Sequence, residues 1–294
     1  MFDNLIKAFE LYPSFFYIAV GLLSLIVGSF LNVVIYRLPK MMQQGWYNDC
    51  REFLADELKD IPAQKQTPIT LSTPHSSCPH CNHSIRFYEN IPVISWLFLR
   101  GQCSQCKQTI SVRYPLVETA TMVLSLVVAH VYGLSTMTLF LVPLTWCLVA
   151  LTMIDFDHMI LPDQIVLPLI WLGLLINISS TFTPLTDAVI GAVVGYMSLY
   201  GIFILFKLLT GKEGMGHGDF KLFAVFGAWA GWQLLPLLIL MASAVGAVIG
   251  ISLMVFKKHS REQAIPFGPY LAIAGWITLL WGDGIWQWYL TSAL

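Results

Sequence analysis

Long apolar runs leave this chain few ways to fold. They occupy about 14–36, 115–132, 134–154, 164–182, 186–209, 220–231, 233–256 and 268–290 of the 294 residues. A helix needs about 20 apolar residues to cross a ~30 Å hydrocarbon core, and most of the runs reach or approach that length. The composition agrees: 56% hydrophobic and 11% charged residues, with a mean hydropathy of +0.69, leave too little polar side chain to cover a soluble core of this size. The expected fold is an all-α polytopic membrane protein of about eight transmembrane helices. The first run is too long for a cleavable signal peptide, and it leads into Asn32 and Arg37 rather than a small-residue cleavage site. The stretch 220–256 is short for two full spans yet too long for one, and Gly231-Trp232-Gln233 is its natural break.

Orientation follows from the cations. Nine of the sixteen Lys and Arg residues fall between Arg37 and Arg113, Lys207, Lys212 and Lys221 flank the fifth connection, and Lys257, Lys258 and Arg261 fill the seventh. The alternate connections near 132–136, 182–186 and 231–233 carry none, and only Lys7 dissents. The positive-inside rule then puts the 37–113 insertion and the 257–266 loop in the cytoplasm and both termini outside. The chain divides into a first transmembrane span at 14–36, a cytoplasmic domain at 37–113 and a helical bundle at 114–294. No internal repeat is expected. Gly191/Gly195, Gly227/Gly231 and Gly246/Gly250, each four residues apart, predict close helix packing.

The insertion is poor in apolar residues and needs a staple. Cys78-Pro79-His80-Cys81 and Cys103-Ser104-Gln105-Cys106, 21 residues apart, supply four thiolates able to surround one Zn²⁺. Disulfides are the alternative, but the loop reads as cytoplasmic, where they are rare. Four cysteines close the coordination sphere, which argues for a structural ion; His80 or His83 could replace one cysteine.

Two carboxylates mark the chemistry. Asp155, in Ile154-Asp155-Phe156-Asp157-His158, and Asp219, in Gly214-Met215-Gly216-His217-Gly218-Asp219, each stand where an apolar run meets a polar loop, on the same predicted side. A charge at a membrane boundary is costly unless paired, solvated or used. Two neighbouring carboxyls share a proton, so one can act as base on a water while the other donates to a scissile carbonyl. No Gly-x-Ser-x-Gly or His-Glu-x-x-His motif competes. Asp157 is an alternative to Asp155, Asp163 reads as the N-cap of the fourth span, and Glu118 as an ion-pair partner of a nearby Arg such as Arg113. The rival function is a polytopic cation or proton transporter with boundary aspartates, although transporters usually hold such groups near the bilayer midplane.

These residues resemble the type IV prepilin peptidases, the leader peptidase/N-methyltransferases of Gram-negative bacteria. The resemblance runs through Gly28-Ser29-Phe30-Leu31-Asn32-Val33-Val34-Ile35-Tyr36-Arg37-Leu38-Pro39, the paired cysteine motifs, Arg113-Tyr114-Pro115-Leu116-Val117-Glu118, the two aspartate motifs and Pro266-Phe267-Gly268-Pro269-Tyr270. It implies an inner-membrane enzyme that cleaves prepilins and pseudopilins, single-helix membrane proteins, after a glycine at the cytoplasmic face. It further implies Asp155 and Asp219 as the catalytic pair, and methylation of the new N-terminus with S-adenosylmethionine as methyl donor. Cys78, Cys81, Cys103 and Cys106 would hold Zn²⁺, as in the bifunctional members. Partners are then these substrates and the lipid bilayer, with no nucleic acid. Where close members often carry Gly-Lys before the second knuckle, this chain has Gly101-Gln102.

Overall fold

The computed structural model describes residues 7, 9, 11–55, 69–212, 214–257 and 266–293. Lys258 and Arg261 of the seventh connection lie outside them. The described residues form helices and contain no strand beyond two isolated bridges. The chain divides into two units, Met1–His130 and Val131–Leu294.

In the first unit, α1 runs from Pro13 to Phe53. It does not stop where the first apolar run ends but continues through Arg37 and Pro39 into the polar insertion. Arg37 is buried there, and three carbonyls satisfy its charge: Thr70 at 3.0 Å, Leu71 at 3.3 Å and Pro74 at 2.6 Å. The segment after residue 69 is thereby tied to α1, because a buried guanidinium is tolerable only when its donors are occupied. After the short α2 (Ile94–Phe98), α3 spans Arg113–Tyr132. A Cβ on Gly28 would lie 2.8 Å from the Glu118 Cα, so α1 and α3 meet backbone to backbone at that point.

The second unit contains α4 (Thr136–His158), α5 (Asp163–Ile176), α6 (Leu185–Thr210), α7 (His217–Ala230), α8 (Leu235–Lys257) and α9 (Gly268–Ala293). Its centre is α7, whose residues from Asp219 to Trp229 are almost all buried, with α5, α6 and α9 packed on it. A helix apolar on every side must be enclosed by others. The predicted glycine spacing is used here: a Cβ on Gly191 would overlap the Gly227 carbonyl, and one on Gly227 would overlap that of Gly191. The two backbones therefore touch along α6 and α7. The far end of α7 is closed by Asn177, which donates to the Ala228 and Trp229 carbonyls at 2.9 and 3.2 Å and accepts the Phe182 and Thr183 amides. Gly231, at φ +81°, ends α7 at the expected break before α8.

Five of these helices are long and apolar enough to cross a membrane: Pro13–Phe53, Arg113–Tyr132, Thr136–His158, Leu185–Thr210 and Leu235–Ser252. α5 and α7, with 14 residues each, rise only about 21 Å, less than a ~30 Å core. All eight apolar runs are helical, but the expected count of eight spans exceeds the five that length and composition support.

Candidate active site and metal centre

Asp155 lies in the last turn of α4, which ends at Met159 in the left-handed region. Asp219 lies in the first turn of α7. Both are buried, with 5% and 7% of their surface exposed, while Phe156, Asp157, Gly216 and His217 beside them are exposed. Each carboxylate accepts one amide from a helix N-terminus. The Gly268 N–H, at the first residue of α9, donates to Asp155. The Gly216 N–H, at the N-cap of α7, donates to Asp219, while the Asp219 amide returns a bond to the Gly216 carbonyl at 3.2 Å. This is the acidic half of a capping box, and it fixes the Asp219 rotamer while using a helix-end donor that would otherwise be unpaired.

Leu161 bridges the two halves. A Cβ on Gly218 would lie 2.8 Å from Leu161 Cβ, and one on Gly268 would lie 3.2 Å from Leu161 Cδ1 and 2.5 Å from Asp155 Oδ2. Two glycines thus let α7 and α9 close on one leucine, so residues 64 positions apart become like-charge neighbours that interact electrostatically. The amides of Gly216 and Gly268 and the Leu161 contact were not read from the sequence. A glycine ahead of Pro269 at a helix start was the available clue to the Gly268 donor.

The other acids sort differently. Asp157 is exposed. Asp163 is the first residue of α5 rather than its N-cap, which is Pro162, and it is ion-paired with Lys221 through both oxygens at 2.8 Å. Glu118 is buried and accepts the Val93 amide at 2.7 Å and the Ser29 hydroxyl. His217 packs against Phe203 and Phe220, with ring centroids 5.2 and 5.5 Å away.

The four cysteine sulfurs converge as their spacing predicted. Cys78 and Cys106 are 3.7 Å apart, Cys81 and Cys103 4.0 Å, and all four sulfurs lie within 4.8 Å of one another. A tetrahedron with ~2.3 Å Zn–S bonds spaces its sulfurs by about 3.8 Å, whereas a disulfide needs about 2.05 Å. The residues therefore fit a four-thiolate metal site.

A repeat, unexpected from the sequence, builds it. With an offset of 25 residues, Cys78, Cys81, Asn82, His83 and Ile85 superpose in role on Cys103, Cys106, Lys107, Gln108 and Ile110. In each copy the first cysteine's amide bonds to the carbonyl five residues on, the residue after the second cysteine has positive φ (54° and 57°), and one bridge closes the loop, Ser77 to Ser84 and Gln102 to Thr109. The recurrence of Cys-x-x-Cys-x-x-(Ser or Thr)-Ile was the readable trace. Amides of Cys81 and His80 point at the Cys78 sulfur and hold its thiol down at about 6; amides of Cys106 and Gln105 lower the Cys103 thiol as well. The Gln108 amide also favours a thiolate at Cys106, but desolvation and the neighbouring sulfurs push that thiol up to about 11. Four sulfurs facing one another resist full ionisation without a cation.

Glu89 joins the two knuckles. It accepts the Arg86 amide at 2.9 Å, the Ser104 hydroxyl, and His83 Nε2 at 3.3 Å, so His83 is an anchored residue rather than a solvated loop histidine. These bonds, the Arg86 amide foremost, hold the Glu89 carboxyl below the ordinary range.

Comparison with known proteins places this arrangement. Residues 22–132 match the bacterial peptidase A24 N-terminal domain, and residues 142–251 match the type IV leader peptidase family. Proteins named prepilin leader peptidase/N-methyltransferase from Stutzerimonas stutzeri, Aeromonas hydrophila and Pseudomonas aeruginosa are 56%, 54% and 53% identical to this chain, each match covering 96% of both sequences. No solved structure matches the chain. Similarity of this extent, with the A24 domains in order along it, shows that the chain belongs to the type IV leader peptidase family.

Proposed function

We propose that this membrane enzyme removes the leader of prepilins and pseudopilins at the cytoplasmic face with Asp155 and Asp219, and then N-methylates the new N-terminus. The convergence of the two carboxylates, each held by a helix-end amide, carries the reading. The relatives' name supplies both activities. It also displaces the transporter alternative.

In this mechanism one aspartate is ionised and its partner protonated, because two close carboxylates cannot easily both carry charge. The ionised member takes a proton from water as the water oxygen attacks the carbonyl carbon of the glycine. The protonated member donates to the carbonyl oxygen. Collapse of the tetrahedral species breaks the C–N bond, and the proton first taken from water passes to the departing amine. The Gly268 and Gly216 amides hold the carboxylates in place. The exposed Gly216 and half-buried Gly218 offer no side chain to obstruct an extended substrate backbone.

Eight helices crossing or embedded in the bilayer, with the 37–113 domain and both aspartates cytoplasmic, satisfy the distribution of Lys and Arg. Cys78, Cys81, Cys103 and Cys106 would hold Zn²⁺, which supplies a cross-link rather than an open Lewis-acid position. Methylation requires an electrophilic methyl donor, S-adenosylmethionine on the family resemblance.

The test uses full-length protein in lipid nanodiscs with a purified prepilin, followed by mass determination of the product N-terminus. Asp155→Asn and Asp219→Asn should each abolish cleavage while insertion and zinc content are unchanged. Cleavage surviving in either variant would sink the assignment.

A further inference from the structure

An apolar strip on the insertion is turned away from its own fold. Phe87 is 88% exposed, Phe98 84%, Leu97 61% and Ile94 50%. Ile94, Leu97 and Phe98 stand at i, i+3 and i+4 of α2 and so share one face. On another face of α2, Trp96 packs on Gly101 of the second knuckle and donates to the Ile110 carbonyl at 3.2 Å. The knuckle therefore takes Trp96 and leaves the other three large apolar side chains of α2 uncovered. Large apolar side chains left uncovered on one short segment mark a surface that meets something other than water.

The hydrogen bonding says how deep the strip sits. The Val93 amide, immediately before α2, donates to Glu118 at 2.7 Å. Glu118 lies five residues beyond Arg113, hence about 7.5 Å along the axis of the membrane-length α3. Val93 is held at φ +60°, ψ −48°, with the Ile94 amide bonded to the Pro92 carbonyl at 2.5 Å, a three-residue turn that a β-branched residue rarely adopts. The buried Glu118 carboxylate holds this turn beside the first turns of α3. Interfacial helices bury their apolar faces ~5–10 Å into the headgroup–acyl boundary, which is this level.

The charge fits an anionic surface. Between Ile69 and Val117 the cations are Arg86, Arg100, Lys107 and Arg113, and the only acid is Glu89, already engaged by Arg86, Ser104 and His83. Arg86 and Arg100 flank the strip in the sequence, and both are exposed.

We propose that Phe87, Ile94, Leu97 and Phe98 form a monotopic anchor that inserts into an anionic bilayer interface, with Arg86 and Arg100 at the headgroups. Its contact is lipid, not a substrate helix or a second copy of the chain.

The test is site-specific photocrosslinking of full-length protein in nanodiscs of equal phosphatidylglycerol and phosphatidylcholine. Phe98→p-benzoylphenylalanine and Phe87→p-benzoylphenylalanine should yield lipid adducts as abundant as those at Val193, a half-exposed position within the membrane-length α6. Adducts should favour phosphatidylglycerol roughly fivefold, as expected for about 1 kcal/mol per cation at the surface. Gln105→p-benzoylphenylalanine, on the exposed knuckle, should capture little lipid. Protein-only adducts at Phe98 and Phe87 while Val193 labels lipid, equal capture of the two lipids, or abundant lipid capture at Gln105 would each overturn the proposal. The Asp155 and Asp219 variants decide the cleavage reading independently.

Discussion

The Gly268 amide donates to the Asp155 carboxylate, joining the first residue of α9 to the last turn of α4. A side chain at 268 would compete for this space, since its Cβ would fall 2.5 Å from Asp155 Oδ2. Gly268→Ala should therefore lower kcat for prepilin cleavage by about 100-fold, the scale of an ångström-level misplacement of a reacting group. Steady-state cleavage with an unchanged thermal unfolding midpoint would locate the damage at the carboxylate; wild-type kcat would refute the contact.

Gly227 is the second position where a methyl group should matter. It would meet the Gly191 carbonyl, a backbone atom that cannot swing aside. Gly227→Ala should cost about 1–3 kcal/mol of stability, the usual penalty of overpacking. It should also reduce cleavage, because α7 carries Asp219. Thermal unfolding in detergent reads the first effect and the prepilin assay the second.

Metal binding should depend on pH with a definite sign. The Cys78 thiol, ordinarily near 9.0, is lowered to about 6, so the contribution of its thiolate is fully present above pH 9 and lost as the pH falls through about 6. Cys106, raised to about 11, is still protonated at neutral pH without metal. Zinc binding at pH 7 should thus release protons, Cys106 contributing one and Cys78 almost none. Calorimetry in buffers of different ionisation enthalpy counts them, and a release near four would contradict this ordering.

Glu89→Ala removes the tie between the two knuckles. Losing the bonds from the Arg86 amide, Ser104 and His83 should cost about 1 kcal/mol of domain stability. Loss of zinc to a chelator should then quicken roughly fivefold while prepilin cleavage persists. Because the Glu89 carboxyl lies below its ordinary pKa, its contribution is present above that ordinary value and fades as the pH falls through the depressed one.

Periodicity and composition were sufficient for the helices, since an apolar run of membrane length has no other stable way to satisfy its backbone in lipid. Cys-x-x-Cys spacing was sufficient for the metal tetrad, because each knuckle is a local structure. The same locality hid in plain view the 25-residue offset that makes the knuckles a repeat. Boundary position singled out Asp155 and Asp219, and the comparisons tied the chain to a family.

Tertiary structure decided the rest. The meeting of Asp155 and Asp219 depends on Gly218 and Gly268 closing over Leu161, and on amides at two helix starts, none of which is local in the chain. Likewise, the sequence determined that Phe87, Leu97 and Phe98 are apolar, but only the bond from Val93 to Glu118 tied the start of α2 to the first turns of α3. Short-range chemistry is written residue by residue, whereas proximity across many residues is set by which backbones can touch, and that is a property of the packed helices.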